Sequence, residues 1–403
     1  MNHRSYSPQL NALRAFAIVG VMWHHWLPSY GFGLPLASGV QLFFVLSGFL
    51  ITRILLTARR DAEDSGIGGR RILLAFYARR FLRIFPIYYA VVLLALAAGV
   101  ADLRTSYPWH LSYTSNFYFI FQQGWHSSVA PFWSLAVEEQ FYLFWPLVTL
   151  FLPRRSLPGF FLLMIVVGPV YRAGCTYLYP DVRLLGIATP GSFDSLALGA
   201  LLAWGQLNRG IWYDRFVKSS RAIALLAIAA YVGVQMIPGA GGSLSAIYGM
   251  FLLSIAYVVC IHVCSQGVVG PVGKVLNNRA LCYVGTISYC LYLVHNLAWV
   301  PGRLVQPWLP QVSTNIYWAF LFQTLVTFGF ASLSWHWIEK PINSLKRFVP
   351  YSRRSITSPR PEMHFGRDDS AMVEPEVRSA SKFLTAERLR PRTHNRCGVA
   401  TNS

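Results

Sequence analysis

Stretches of about twenty mostly apolar residues recur along this chain, and that length and composition is what a helix needs to cross a bilayer. Ten are read, at roughly 10–28, 38–58, 84–100, 132–152, 158–178, 190–206, 222–237, 245–264, 281–300 and 316–338. The segment 107–124 is aromatic but interrupted by polar residues, and is expected in an external loop. Only 13% of the residues are charged and 54% are hydrophobic, against about 25% charged in soluble domains, which argues against a soluble enzyme. A disordered nucleic-acid binder is equally excluded, because such tails lack 27 Phe and 13 Trp. The expected fold class is all-α, a polytopic membrane helical bundle of about ten transmembrane helices packed as one domain.

The net charge of +19 tests that count independently, because Lys and Arg are retained on the cytoplasmic side. With a cytoplasmic N-terminus, the inner loops hold Arg59, Arg60, Arg70, Arg71, Arg79, Arg80 and Arg83, then Arg154 and Arg155. Arg209, Arg215, Lys218, Arg221, Lys274 and Arg279 follow on the same side, while the outer loops hold only Arg104, Arg183 and Arg303. Both termini are therefore expected in the cytoplasm. The first apolar stretch carries Arg14, His24 and His25 with no small-residue cleavage pattern after it, so it does not read as a signal peptide. Residues 1–340 form the expected transmembrane domain, and 341–403 a basic, disordered cytoplasmic tail. That tail reads as solvated or facing lipid headgroups rather than as bound to nucleic acid. The cysteines lack paired spacing, and Cys260, His262 and Cys264 alternate around a helix, so buried thiols rather than a metal site are expected.

Titratable residues inside spans are costly and point to function. Arg14 and His25 lie eleven residues apart, which places them within about 20° of one helix face and about 16 Å apart along the axis. The fourth span opens with Trp133-Ser134-Leu135-Ala136-Val137-Glu138-Glu139, Asp194 begins the sixth, and His295 lies in the outer half of the ninth. The expected topology gathers His25, Glu138, Asp194 and His295 in the outer half, where a histidine beside a carboxylate suits general-base work. At the inner face Arg80 and Arg83 share a helix side by their i,i+3 spacing, and planar guanidinium pairs suit phosphate. Ser47-Gly48 reads as a packing motif that lets helices approach closely. The Walker and dinucleotide-binding glycine signatures are absent, and no internal repeat of the kind common in secondary transporters is visible.

Taken in order along residues 8–341, these motifs resemble the membrane acyltransferase-3 family. The resemblance rests on the Arg14 to His25 spacing, Phe43-Phe44-Val45-Leu46-Ser47-Gly48-Phe49-Leu50-Ile51, Arg80-x-x-Arg83, Trp133-Ser134-Leu135-x-Val137-Glu138, Tyr292-Leu293-x-His295 and Trp337-Ile338-Glu339-Lys340-Pro341. It implies a multi-pass protein of the bacterial inner membrane that moves an acyl group, commonly acetyl, from cytoplasmic acyl-CoA to a hydroxyl of an extracytoplasmic carbohydrate or glycolipid. By the same resemblance His25 matches the catalytic histidine, with Glu138 the acidic residue of its motif. Arg14 matches the basic partner of that histidine, and Arg80 and Arg83 the paired arginines that serve acyl-CoA; all three are the candidate acyl-CoA-binding residues, and Asp194 and His295 the candidate substrate-binding residues. Relatives often carry an arginine two residues before the aspartate of the sixth span, where this chain has Ser192. The segment 341–403 is too short for the esterase-like domain that some relatives append.

The expected mechanism threads the pantetheine arm from the arginines towards His25, which deprotonates the acceptor or takes the acyl group first, with Glu138 orienting the imidazole. The expected partners are thus acyl-CoA, a carbohydrate or glycolipid acceptor and the bilayer, with no nucleic acid and no metal. A proton-coupled transporter or exporter is the rival reading: it accounts for the buried titratable groups but not for the arginine pair. A non-catalytic, flippase-like partner in glycan assembly is a third.

Overall fold

A computed structural model describes residues 7–351, except 32, 67, 126–127, 183 and 239–240; all statements of structure below concern these described residues. They form helices and turns without a strand. The principal helices are α1 (Pro8–Trp26), α2 (Gly39–Ser65), α3 (Gly69–Ala97), α4 (Ala101–Leu111), α5 (Ser115–Gln122), α6 (Phe132–Phe151), α7 (Leu157–Leu178), α8 (Phe193–Asn208) and α9 (Ile211–Gln235). They continue with α10 (Met250–Gln266), α11 (Arg279–Thr286), α12 (Ser288–Val294) and α13 (Ile316–Ser334). Local chemistry sets several ends. Proline opens α1, where its missing N–H costs nothing, and Gly66 closes α2 in the left-handed conformation with φ 65°. The Asn315 side chain accepts the Tyr317 and Trp318 amides at the start of α13.

Six helical segments are long and apolar enough to cross a membrane: Leu36–Ser65, Gly69–Ala97, Arg154–Leu178, Ile211–Gln235, Gly242–Gln266 and Ile316–Phe348. A bent pair, Arg279–Thr286 with Ser288–Leu297, passes the same test only when the two are taken together across a bend of 56°, as a broken span or a re-entrant loop. The protein is therefore a multi-pass membrane protein, with fewer segments meeting that test than the ten stretches read from sequence. The other three stretches fold as helices α1, α6 and α8. Their hydropathy or length falls short for a reason: α1 carries Arg14 and two histidines, α6 carries Glu138 and Glu139, and α8 has only 16 residues. The segment 107–124, expected in an external loop, is not among the membrane-crossing segments, and it is helical: α4 packs against α3, and α5 against α6. The Tyr88 hydroxyl donates to the His110 carbonyl, and Gln140 to the Tyr113 carbonyl.

The helix around the third stretch starts well before residue 84, so Arg79, Arg80 and Arg83 lie within α3 rather than ahead of it. Helices α2 and α8 form the most extensive contact in the molecule. It is possible because a β-carbon at Gly48 would run into the Leu196 carbonyl, and one at Gly199 into the Val45 carbonyl. The packing role expected for Gly48 thus has a direct geometric cause. The ninth stretch breaks at Ile287, where Ser288 turns back to donate to the Gly285 carbonyl at 2.9 Å. That break swings α12 across α1. Past the expected boundary at residue 340, Lys340–Ser344 and Leu345–Phe348 stay helical and pack on α3, with Arg79 donating to the Lys346 and Val349 carbonyls. The remainder of the expected tail, 352–403, lies outside the described residues.

Candidate active site

The last turn of α1 and the turn after α12 bring two histidines together. His25 Nδ1 lies 3.0 Å from the Val21 carbonyl and 3.2 Å from His295 Nε2, while His295 Nδ1 lies 2.7 Å from the Tyr292 carbonyl. A carbonyl can only accept, so in the neutral rings both Nδ1 atoms carry the hydrogen. The one Nδ1–H of His25 is then shared between the Val21 carbonyl at 3.0 Å and His295 Nε2 at 3.2 Å, and His25 Nε2 is left with its lone pair. Trp26 donates its indole N–H to the His295 carbonyl at 3.2 Å, fixing the turn that presents the second ring. His295 is buried at 1% exposure, whereas His25 is exposed on the wall of a cavity of about 1400 Å³. Trp125, Trp133, Trp299, Tyr179 and Tyr231 line the same chamber. It is larger than a pocket for a drug-sized ligand, typically about 300–1,000 Å³, and its indole and phenol rings offer apolar faces with polar rims.

A second, smaller cavity of about 210 Å³ lies among α1, α2, α3, α6 and α12. Arg14, Arg80 and Arg83 line it, together with Ser47, Glu138 and Tyr142. Arg14 donates to Asn11 Oδ1 at 3.0 Å, and the Arg80 guanidinium lies over the Tyr142 ring, 4.9 Å from its centroid. Arg79 and Lys346 flank the arginines; Lys346 comes from the segment expected to belong to the tail. Tyr351 stacks on Arg79 at 4.9 Å. Burial pushes the Tyr351 phenol above its ordinary value, with Arg80 and Arg79 partly offsetting it, so that hydroxyl stays neutral.

The four residues expected to share the outer site do not stay together. Glu138 bonds Ser47 Oγ at 2.9 Å and the Tyr142 hydroxyl at 3.0 Å, and lines the arginine pocket, not the chamber. The reason is helical geometry: Ser134 reaches Tyr292, which lines both cavities, and Glu138 sits one turn, about 6 Å, further along α6. Its carboxylate therefore makes no hydrogen bond to His25. Asp194 is fully buried and turned away from the chamber, held by Arg172 in a two-pronged ion pair at 2.7 and 3.2 Å. A β-carbon at Gly168 would lie 2.8 Å from Asp194 Cγ, so glycine allows α7 to bring that arginine close. Glu339 accepts from Ser334 at 3.0 Å within the last helical segment.

Arg172, Tyr142 and Lys346 thus join the site without having been singled out by sequence, together with Ser47, read there as packing, and Tyr292, quoted there only in the motif of His295. Arg172 carried a usable signal, being a lone arginine inside the apolar stretch 158–178, where charge is expensive. Arg172 also lines the chamber, so the arginine that Ser192 does not supply beside Asp194 arrives from the neighbouring helix.

A family model described as an acyltransferase domain, that of the acyltransferase-3 family, matches residues 7–344. Among curated proteins, the chain is similar to a putative peptidoglycan O-acetyltransferase of Bacillus subtilis, YrhL, with 29% identity over 381 residues. That match covers 87% of this chain and 57% of the relative. Peptidoglycan O-acetyltransferase OatA of Listeria monocytogenes is 31% identical over 378 residues, 86% of this chain and 57% of its own length. O-acetyltransferase OatA of Staphylococcus aureus is 28% identical over 365 residues, covering 84% and 57%. The chain thus spans a little over half the length of the curated relatives it matches. No solved structure matches.

Proposed function

The chain belongs to the acyltransferase-3 family, and from that premise we propose that it transfers an acyl group, acetyl foremost, from acyl-CoA to a hydroxyl of a carbohydrate. The acceptor lies on the far side of a bacterial inner membrane from the donor. One observation supports this reading above the others. A single helix, α1, carries Arg14 into a cation-lined pocket and, about 16 Å along, His25 into a chamber large enough for several sugar rings. The CoA phosphates engage Arg80 and Arg83, with Arg14, Arg79 and Lys346 close by, because guanidinium groups bind phosphate through paired N–H donors. The pantetheine arm runs along α1 and delivers the thioester towards the histidines.

In the chamber, aromatic rings receive the apolar faces of the acceptor sugar, and one of its hydroxyls lies against His25 Nε2. The imidazole takes the hydroxyl proton as the oxygen attacks the thioester carbon. The C–S bond breaks as the C–O bond forms, and the proton passes from His25 to the CoA sulfur. His295 accepts from His25 Nδ1–H and so holds the ring with Nε2 towards substrate. The peptidoglycan named for the relatives makes an N-acetylglucosamine oligomer the first acceptor to try.

The test uses the full chain in proteoliposomes with radiolabelled acetyl-CoA and chitotetraose. Release of CoA thiol matched by label in the sugar supports the reading. Label that enters neither the sugar nor the protein contradicts it, and acetyl retained on His25 replaces direct transfer by a two-step route.

A further inference from the structure

Beyond the chamber and the arginine pocket, a third cavity of about 210 Å³ lies among α2, α7 and α8, at the ends of these helices remote from the chamber. On α2, Gln41 lines the chamber and Arg60 lines this cavity, about 28 Å further along the axis. The hydrocarbon core of a bilayer is about 30 Å thick, so the cavity sits at the headgroup level of the face opposite the chamber. Trp204 lines it and stacks on Trp212 with centroids 5.5 Å apart, and tryptophan is enriched at that level. Leu56 and Arg60 lie on the side of α2 opposite Ser47 and Ile54, which face the arginine pocket, so the two basic cavities are separate.

The lining is part apolar and part cationic. Leu56, Leu157 and Trp204 supply carbon surface, Arg60, Arg154 and Arg155 supply three guanidinium groups, and no carboxylate belongs to it. Arg60 donates to the Leu207 carbonyl at 3.2 Å and to Asn208 Oδ1 at 2.7 Å, and so holds the end of α8. Arg154 pairs at 2.5 Å with Glu63, which Arg59 also engages at 3.2 Å. Arg155, exposed beside them, makes no hydrogen bond or ion pair among the described residues. A guanidinium carries five N–H donors, so Arg60 and Arg154 also keep donors beyond those already engaged.

We propose that this cavity binds the phosphate headgroup of an anionic membrane phospholipid, which clasps the ends of α2, α7 and α8 together. Its volume is below the about 300–1,000 Å³ of a pocket for a drug-sized ligand, which suits a phosphate and its glycerol rather than a nucleotide. Guanidinium groups bind phosphate oxygens through paired N–H donors, and basic pockets between membrane helices hold anionic headgroups. The ammonium of a zwitterionic headgroup would be repelled by the same three arginines. The acyl chains have apolar surface beside the cavity, because α7 leaves this end with Leu162, Leu163, Val166 and Val170 exposed. A bound phosphate offsets the mutual repulsion of the guanidinium groups where α8 meets its two neighbours. The inference goes beyond the acyl-transfer reading and does not depend on it.

The experiment is native mass spectrometry of the full chain in detergent, titrated with dioctanoyl phosphatidylglycerol, dioctanoyl phosphatidylcholine or inorganic phosphate. Phosphatidylglycerol is expected to bind at least about tenfold more tightly than either of the others. Arg155→Gln and Arg60→Gln are each expected to weaken it at least about tenfold, and Arg155→Gln, at an exposed position, decides alone if Arg60→Gln fails to fold. Lys218→Gln, which removes an exposed cation of α9 outside the cavity, is expected to leave binding unchanged. Equal binding of the two lipids, or wild-type binding of phosphatidylglycerol by Arg155→Gln, overturns the proposal. Inorganic phosphate binding as tightly as phosphatidylglycerol makes this a site for a free anion and overturns the lipid. A Lys218→Gln effect as large as that of Arg155→Gln overturns it in favour of general surface attraction.

Discussion

At one end of α1, Arg14 looks into a pocket of about 210 Å³ crowded with cations; at the other, His25 looks into a chamber of about 1400 Å³ walled by aromatic rings. The pocket offers fixed positive charge, which suits a phosphate-bearing donor. The chamber offers a lone-pair nitrogen, a supporting imidazole and room, which suits a bulky neutral acceptor and proton transfer. The two share α1, α2, α6 and α12, but α3 lines only the pocket, while α7, α9, α10 and α13 line only the chamber. The lesson is a division of labour along a common axis: binding charge at one level, chemistry at the other, with Tyr292 lining both cavities.

His25→Ala breaks the chamber's part of this division and carries the largest expected effect. Loss of a general base costs typically about 10²–10⁴-fold in kcat, while the KM for acetyl-CoA stays near the wild-type value. Steady-state kinetics in proteoliposomes measure both. A raised KM with unchanged kcat would place His25 with the donor instead.

Asp194→Ala probes the ion pair behind the chamber wall, which Arg172 lines. Removing one partner of a buried ion pair leaves Arg172 uncompensated, at a cost of about 3–5 kcal/mol. A clear fall in the thermal unfolding midpoint of detergent-solubilised protein is expected, together with reduced activity. A midpoint equal to wild type would mean that the pair contributes nothing to holding α7 on α8.

Arg80→Ala tests the pocket. A hydrogen bond to a charged group is worth about 1.5–3 kcal/mol, so the KM for acetyl-CoA should rise about 10–150-fold with kcat little changed at saturation. Lys346→Ala is expected to act in the same direction by less than about tenfold, since an ammonium binds phosphate as a point charge without the paired geometry of arginine. Equal effects of both on kcat alone would blur the distinction between pocket and chamber.

Much of this was legible in the sequence, and the exceptions follow from physical causes. Apolar stretches such as 158–178 and 316–338 announced α7 and α13, because a helix facing lipid has no reason to carry charge. Only 11% of the Ile211–Gln235 and Ile316–Phe348 windows is buried, against 67% for Leu36–Ser65. The same test under-reads α1 and α6, whose polar residues serve the interior. Arg14 and His25 could be paired by periodicity because one helix holds both. The partners of Glu138 and Asp194 could not, because Ser47, Tyr142 and Arg172 reach them from other helices or another turn. The break at Ile287, which brings His295 to His25, depends on a local hydrogen bond that composition does not reveal.

The central claim, that donor binding and acceptor chemistry occupy separate levels of one helix, is tested most directly by calorimetric binding of desulfo-CoA to two variants in nanodiscs. The account predicts that His25→Ala binds it as tightly as the wild type, while Arg80→Ala/Arg83→Ala binds at least about tenfold more weakly. Weakened binding in His25→Ala, or wild-type binding in the arginine double variant, would contradict it.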